Sequence, residues 1–251
     1  MPDSNALWQQ YLGQTSTWVH FVGMVFVLHG LIYWGMVFFF ALVEESQKPN
    51  WIYRYKIQTK THRRPPAKKV AWVLFCNQLL WTPAILWGIW FVLQQRGWSA
   101  YTELPSIFQF VMDLTLMGAL SAIYFYVSHR FLHRPWWMKN VHKVHHEYRT
   151  SSAIAAEYAH WVEFVFGNFG TLAIGVVLLA PDLITIYAFT ILGTITFVGH
   201  HSGYALPWMS WSVHHDWHHY RYKEAFGTYG VLDYLLGTDK EFRTLKDGMI
   251  K

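Results

Sequence analysis

Cysteine is almost absent: Cys76 is the only one in 251 residues. That excludes an intrachain disulfide framework and any thiolate metal cluster within one chain. Cys76 lies in an apolar run and reads as a buried, inert thiol. Charge is scarce too, since Asp, Glu, Lys and Arg make up 14% of the residues, against roughly 25% in an ordinary soluble domain. Two hydrolytic signatures are missing. His146-Glu147 continues as Tyr148-Arg149-Thr150, so the HExxH of zinc proteases is absent, and Gly-x-Ser-x-Gly does not occur. The N-terminal segment has no basic n-region and does not read as a cleaved signal peptide.

What is present is hydrophobic, at 53% of residues, with 19% aromatic. The apolar residues gather into runs at 19–43, 70–93, 107–127, 161–180 and 183–199. About 20 mainly apolar residues span a bilayer as a helix. The last two runs are separated only by Pro181-Asp182, which predicts a tight helical hairpin. The expected fold is an all-α polytopic membrane bundle of four to five spans. It forms one domain, 1–251, with a histidine-rich cap from 128–160 and 200–251. Nineteen of the twenty basic residues fall in 44–69, in 128–160 or after residue 220, and Arg96 is the exception. Five spans put those three segments on one face. The positive-inside rule makes that face cytoplasmic and the N-terminus lumenal or external. The net charge of +5 is thus a topology signal. Nucleic acid is not an expected partner, whereas an acidic redox protein is.

Twelve of the fifteen histidines lie between 129 and 219. Eight form three boxes: His129 and His133 in HRFLH; His142, His145 and His146 in HKVHH; His215, His218 and His219 in HDWHH. On a helix, positions i, i+3 and i+4 share a face, so each box aims its imidazoles one way. Clustered cationic imidazoles would repel one another, while neutral ones are metal ligands. A lone structural zinc takes about four ligands, so eight or more imply two metals. Imidazole suits Zn, Cu, Fe and Ni. The membrane hairpin delivers box three beside boxes one and two, and Pro135 is expected to end the helix after His133.

His160 and His201 flank that hairpin and are further ligand candidates. Around them, Glu157, Asp216, His200 and His214 are candidates to orient the ligands, as carboxylates often do for metal-bound histidine. Glu163 also flanks His160, but Glu157 is the preferred carboxylate. His20 and His29, in the first run, read as satisfied interior histidines, and His62 as solvated. Asp113 sits sixteen residues before His129, about 24 Å along a helix, too far to ligate. It reads as pairing with Asn77 or Gln78, or as meeting a polar substrate head. Trp136, Trp137 and Trp217 are candidate membrane-interface anchors.

The order HRFLH, HKVHHEY, EYAH, HSGY, HHDWHH resembles the fatty acid hydroxylase/sterol desaturase superfamily over roughly 107–245. Glu157–His160, His201–Tyr204 with Pro207, Phe226–Gly230, Leu232-Asp233 and Leu236–Thr238 are most similar to the 4-methylsterol oxidase branch. So are Tyr53–Gln58 and Asn77-Gln78. One departure is Trp161, where that branch usually has proline. The resemblance implies a diiron, O2-dependent monooxygenase with no catalytic group beyond the metal centre. It would oxidise an unactivated C–H of a sterol-like lipid, most simply a 4-methyl group. Electrons would come from NAD(P)H through separate proteins, a cytochrome b5-type or ferredoxin-type donor and its reductase. It would sit in the endoplasmic reticulum of a eukaryote or the inner membrane of a bacterium. Other branches remain open: sterol desaturase, or fatty acid, alkane or carotenoid hydroxylase. Outside the superfamily stand a bis-histidine haem electron carrier and a metal transporter. The carrier would show a Soret band. The transporter would need ionisable residues at mid-membrane, where only Asp113 lies.

Overall fold

Within lipid every backbone polar group must be satisfied internally, which for runs like these means helices. The structure, a computed structural model, describes residues 3–59, 62–100 and 103–249. The basic residues Lys60 and Lys251 lie outside the described residues. The main helices are α1 (Ser4–Leu12), α2 (Val19–Ser46), α3 (Ala67–Gln95), α4 (Ile107–Leu132) and α5 (Glu163–Leu179). They continue with α6 (Leu183–His201), α7 (Ser212–Arg221), α8 (Val231–Leu236) and α9 (Lys240–Met249). Among the described residues the one β contact is an isolated antiparallel bridge between Lys56 and Tyr204.

Each of the five apolar runs lies on a helix. Four helices, α2, α3, α4 and α6, are long and apolar enough to cross a membrane, and α5 is apolar but shorter. The helices outrun the apolar windows because hydropathy marks the lipid slab, not the end of the backbone ladder. The third run thus continues to Leu132 and carries His129 on a full helical turn. The Ser106 side chain caps α4 by accepting from the Gln109 N–H at 3.2 Å. At its other end His133 is the C-cap, and Pro135 opens the next turn as expected.

Helix α2 packs along α6, and α4 along α5. A Cβ on Gly175 would lie 2.9 Å from the Met117 Cα, so the α4–α5 approach requires glycine there. Helix α6 is central: 56% of its apolar window is buried, against 22–28% for the other three long helices. The outward faces of α2, α3 and α4 expose Leu31, Phe38, Trp72, Ile107, Phe108 and Val127, the surface a lipid contact needs. The α5–α6 turn sits at the opposite end from the histidines. Trp98 Nε1 donates to the Pro181 carbonyl at 2.8 Å, and the Arg96 guanidinium donates to the Val177 and Leu178 carbonyls. Arg96 is therefore at the far end, away from the histidine cap.

Two expectations about buried polar groups change. Asp113 accepts from Gln109 Nε2 at 2.8 Å, one turn away on its own helix. Asn77 and Gln78 serve the 157–159 segment instead. Asn77 Nδ2 donates to the Glu157 and Ala159 carbonyls, each at 3.0 Å, and Gln78 Nε2 donates to Glu157 Oε2 at 2.7 Å.

Candidate metal centre

The three boxes enter on different local structures. Box one uses the last turn of α4, and box three lies within α7. Box two is not one α-helix. It runs from a π turn, Met138–His142, into a 3-10 turn, His145–Glu147. Its three imidazoles divide between two directions.

The result is two groups of ring nitrogens. His129, His133, His142, His146 and His218 form one, and His145, His201, His215 and His219 form the other. Within each group the ligand atoms lie within 4.8 Å of one another. Boxes two and three therefore each contribute to both groups. In the first group, Nε2–Nε2 separations are 3.1 Å for His129–His142, 2.9 Å for His133–His142, 2.9 Å for His142–His146 and 3.2 Å for His146–His218. In the second they are 3.2 Å for His145–His201, 2.8 Å for His201–His215 and 3.1 Å for His215–His219. A metal–imidazole bond of about 2.0–2.1 Å puts adjacent donors of a tetrahedron or octahedron roughly 2.9–3.4 Å apart. The separations are those of two coordination shells.

The outer nitrogens fix the tautomers. Nδ1–H donates to the Phe226 carbonyl from His129 at 2.7 Å, to the Phe197 carbonyl from His201 at 2.9 Å and to the Glu224 carbonyl from His218 at 2.8 Å. His219 donates to the Tyr148 carbonyl at 2.9 Å, His145 to the Tyr158 carbonyl at 3.3 Å and His142 to Glu163 Oε1 at 2.8 Å. With the proton held on Nδ1, each Nε2 presents a lone pair inward. Facing lone pairs at 3 Å are not hydrogen bonds. They fit a cation, so the donor set suits two divalent transition ions. Burial, reinforced by neighbouring imidazoles, holds His142, His146, His215, His218 and His219 well below the usual histidine range and pushes His133 down to about 2. These rings are neutral at physiological pH and ready to ligate.

The loop after α7 is tied down for the same purpose. The Asp233 carboxylate accepts from the Phe226 and Gly227 N–H groups at 2.8 and 2.7 Å and from the Thr238 hydroxyl at 2.6 Å. That aims the Phe226 carbonyl at His129. At Gly203, φ is +81° and a Cβ would meet the Ser151 carbonyl oxygen at 2.8 Å. Glycine there lets the chain turn sharply just past His201.

Nine of the ten ligand candidates thus converge, His201 included. His160 is in neither group; its Nδ1 accepts from the Val162 N–H at 3.3 Å. The carboxylate that bonds a grouped histidine is Glu163, not Glu157. The Glu157 carboxylate lies 2.6 Å from His29 Nε2 and accepts from Gln78. The signal for Glu163 was its place beside His160, but only the fold sets it against His142. Asp216 binds Gln58 Nε2 at 2.9 Å rather than a box histidine. His214 lies 3.8 Å from Asp233 Oδ2, and the His200 ring stands 5.8 Å from that of His215, so neither joins a group. His20 and His29 lie in the interior, His20 bonded to the Leu12 carbonyl and His29 to Thr194 through Nδ1, with its Nε2 beside the Glu157 carboxylate. His62 is partly buried against Thr150, not merely solvated. Trp136 is exposed as an interface anchor should be, whereas Trp217 is buried beside Val213 and Phe242.

A helical membrane bundle with two all-imidazole groups at one end defines a metal-binding membrane enzyme. The fatty acid hydroxylase family matches residues 114–238, a stretch holding all three boxes. The chain belongs to this family, and the names of the family and of its relatives indicate an oxidoreductase of the hydroxylase or monooxygenase type. It is 30% identical over 247 residues to human (Homo sapiens) Fatty acid hydroxylase domain-containing protein 2, covering 96% of this chain and 74% of that one. It is 30% identical over 235 residues to Methylsterol monooxygenase 2-2 of Arabidopsis thaliana, covering 88% and 86%. Fatty acid hydroxylase ahd1 of Mycosarcoma maydis is 34% identical over 210 residues, covering 81% of this chain and 54% of that one. No solved structure matches.

Proposed function

We propose that this protein is a diiron, O2-dependent monooxygenase that oxidises an unactivated C–H of a membrane lipid, with a 4-methyl group of a 4-methylsterol as its substrate position. The single observation that carries the reading is the pair of inward-facing imidazole groups, five and four rings strong. Two irons held there would supply the redox steps that activate O2, which zinc cannot provide. His129, His133, His142, His146 and His218 would hold one ion, and His145, His201, His215 and His219 the other.

The chain's own part is to hold the ligands neutral and oriented, and to bring an apolar substrate to them dry. A cavity of about 10 Å³ touches both groups through His129, His142, His145 and His201. Its other walls include Phe125, Leu132 and Phe197, on the sides of α4 and α6 that descend into the membrane. A C–H bond arriving from the bilayer meets the imidazoles without crossing water. Electrons would come from a redox donor docking on the basic cap. The positive-inside rule makes that face cytoplasmic.

The similarity to Methylsterol monooxygenase 2-2 supports the sterol assignment. The similarity to ahd1 keeps an acyl chain as the second reading. The test is elemental analysis of active protein together with 18O2 turnover on a 4,4-dimethylsterol, given a reductase chain. Two irons per chain and an 18O-labelled 4-hydroxymethyl product are expected. Full activity with a single zinc overturns the diiron assignment, and turnover of acyl chains alone overturns the sterol one.

A further inference from the structure

The wall of one membrane cavity holds a polar atom that nothing in the fold satisfies. Between α4, α5 and α6 lies an apolar cavity of about 210 Å³. It shares Asn168 and Phe197 with the small cavity that touches both imidazole groups. It shares Gly118, Ala122, Thr228 and Tyr229 with an outer cavity bordered by Ile123, a residue exposed on the lipid face of α4. These cavities lie in sequence from the lipid face of α4 to the imidazoles. A larger cavity, of about 740 Å³ between α2 and α3, has no grouped histidine among its walls.

His200 lines the middle cavity and is 2% exposed. The Thr228 backbone acts on its ring as an acceptor, and its Nε2 is buried with no partner. The nitrogen turned to Thr228 is therefore Nδ1, where the carbonyl, which only accepts, favours the proton. That leaves the Nε2 lone pair as an unmet acceptor in an apolar chamber. A buried polar atom left so is destabilising, and a partner supplied by a ligand would relieve it. His200 is not a member of either imidazole group, though its ring is 5.8 Å from that of His215.

We infer that His200 is a substrate-positioning residue that accepts a hydrogen bond from an aliphatic hydroxyl of the lipid. The hydroxyl would lie within a few bonds of the carbon presented to the metal centre, because His200 is one ring away from His215. The inference rests on the oxygenase reading for its purpose, but the binding it describes needs neither metal nor turnover. A sterol alcohol and a long-chain alcohol offer the same donor.

The experiment is photo-crosslinking of the purified full chain in nanodiscs, with adducts mapped by mass spectrometry. The probes are a diazirine-bearing cholestanol, a diazirine-bearing octadecanol, and the O-methyl ether of each. At least one alcohol should label residues 114–122 or 189–197, and its ether should label them about tenfold less, the effect of one lost hydrogen bond. Whichever alcohol does so identifies the lipid class. His200→Phe should remove the preference for the alcohol. His200→Gln, whose amide oxygen still accepts, should restore much of it. Metal content should match wild type in both variants. Equal labelling by alcohol and ether overturns the inference, as does labelling confined to the α2–α3 cavity or none by either alcohol. Loss of a metal from His200→Phe also overturns it, by making His200 a ligand. Failure of the oxygenase reading appears separately, as metal analysis without iron or turnover without 18O incorporation.

Discussion

Glu163 offers the sharpest test of how the fold tunes the centre. Its carboxylate is 3% exposed and accepts the Nδ1–H of His142 at 2.8 Å. His142 in turn lies within 3.1 Å of both His129 and His133 through Nε2, so its tilt bears on the whole five-ring group. Glu163→Ala leaves a buried N–H without an acceptor, at a cost of about 1–3 kcal/mol. Removing such an outer partner typically weakens metal binding about 10–100-fold. The ion in the five-histidine group should then be stripped by about 10–100-fold less chelator than in wild type. The other ion should remain at its wild-type threshold, since Glu163 bonds no ring in that group. Glu163→Gln keeps an oxygen acceptor and should fall between the two. The assay is elemental analysis across a chelator titration of purified protein. Unchanged thresholds for both ions in Glu163→Ala would refute the reasoning. So would equal weakening of both ions, which would point to general unfolding.

Four other outcomes are expected. His145→Ala and His146→Ala, adjacent in sequence, should empty different sites; the first leaves three ligands and should lose its ion more completely than the second, which leaves four, by metal analysis under mild chelation. Metal-free protein should lose thermal stability as pH falls below about 6.5, because the unfolded chain takes up protons there while His133 resists them down to about 2; a melting temperature that is constant or rises from pH 7.5 to 5.5 contradicts this. Gly175→Val should destabilise the bundle by about 1–3 kcal/mol through overpacking, while Gly118→Val, with nothing within 4 Å of its Cβ site, should not, as read by melting in detergent. Site-directed labels in 44–69 and 240–245 should report one side of the membrane and a label at Asp3 the other; Asp3 and 44–69 on the same side would show that α2 does not cross.

Much of the fold is legible in the chain itself. Apolar runs long enough to span a membrane have one low-energy backbone there, and their lengths are countable without any neighbour. The three histidine boxes are equally local, as is the turn forced by Pro135. The distribution of the metal-facing rings is not. His145 and His146 are neighbours, and so are His218 and His219 on the regular helix α7, yet each pair is split between the two groups. Periodicity gives the angle between neighbouring rings but not the distant rings that each one meets. His160 and His201 stood equally close to the boxes in sequence. His201 completes the second group because α6 brings it back beside His145, while His160 turns to its own backbone. Glu157 and Glu163 both flank His160 and are chemically alike; packing places one against His29 and the other against His142. The sequence by itself determined the apolar helices, the end of the bundle that carries the histidines and eight of the nine rings that group there, because each follows from local composition and helical phase. Which rings share a group, which carboxylate bonds one of them and which buried nitrogen is left without a partner depend on contacts between residues far apart in the chain, and only the tertiary structure decided those.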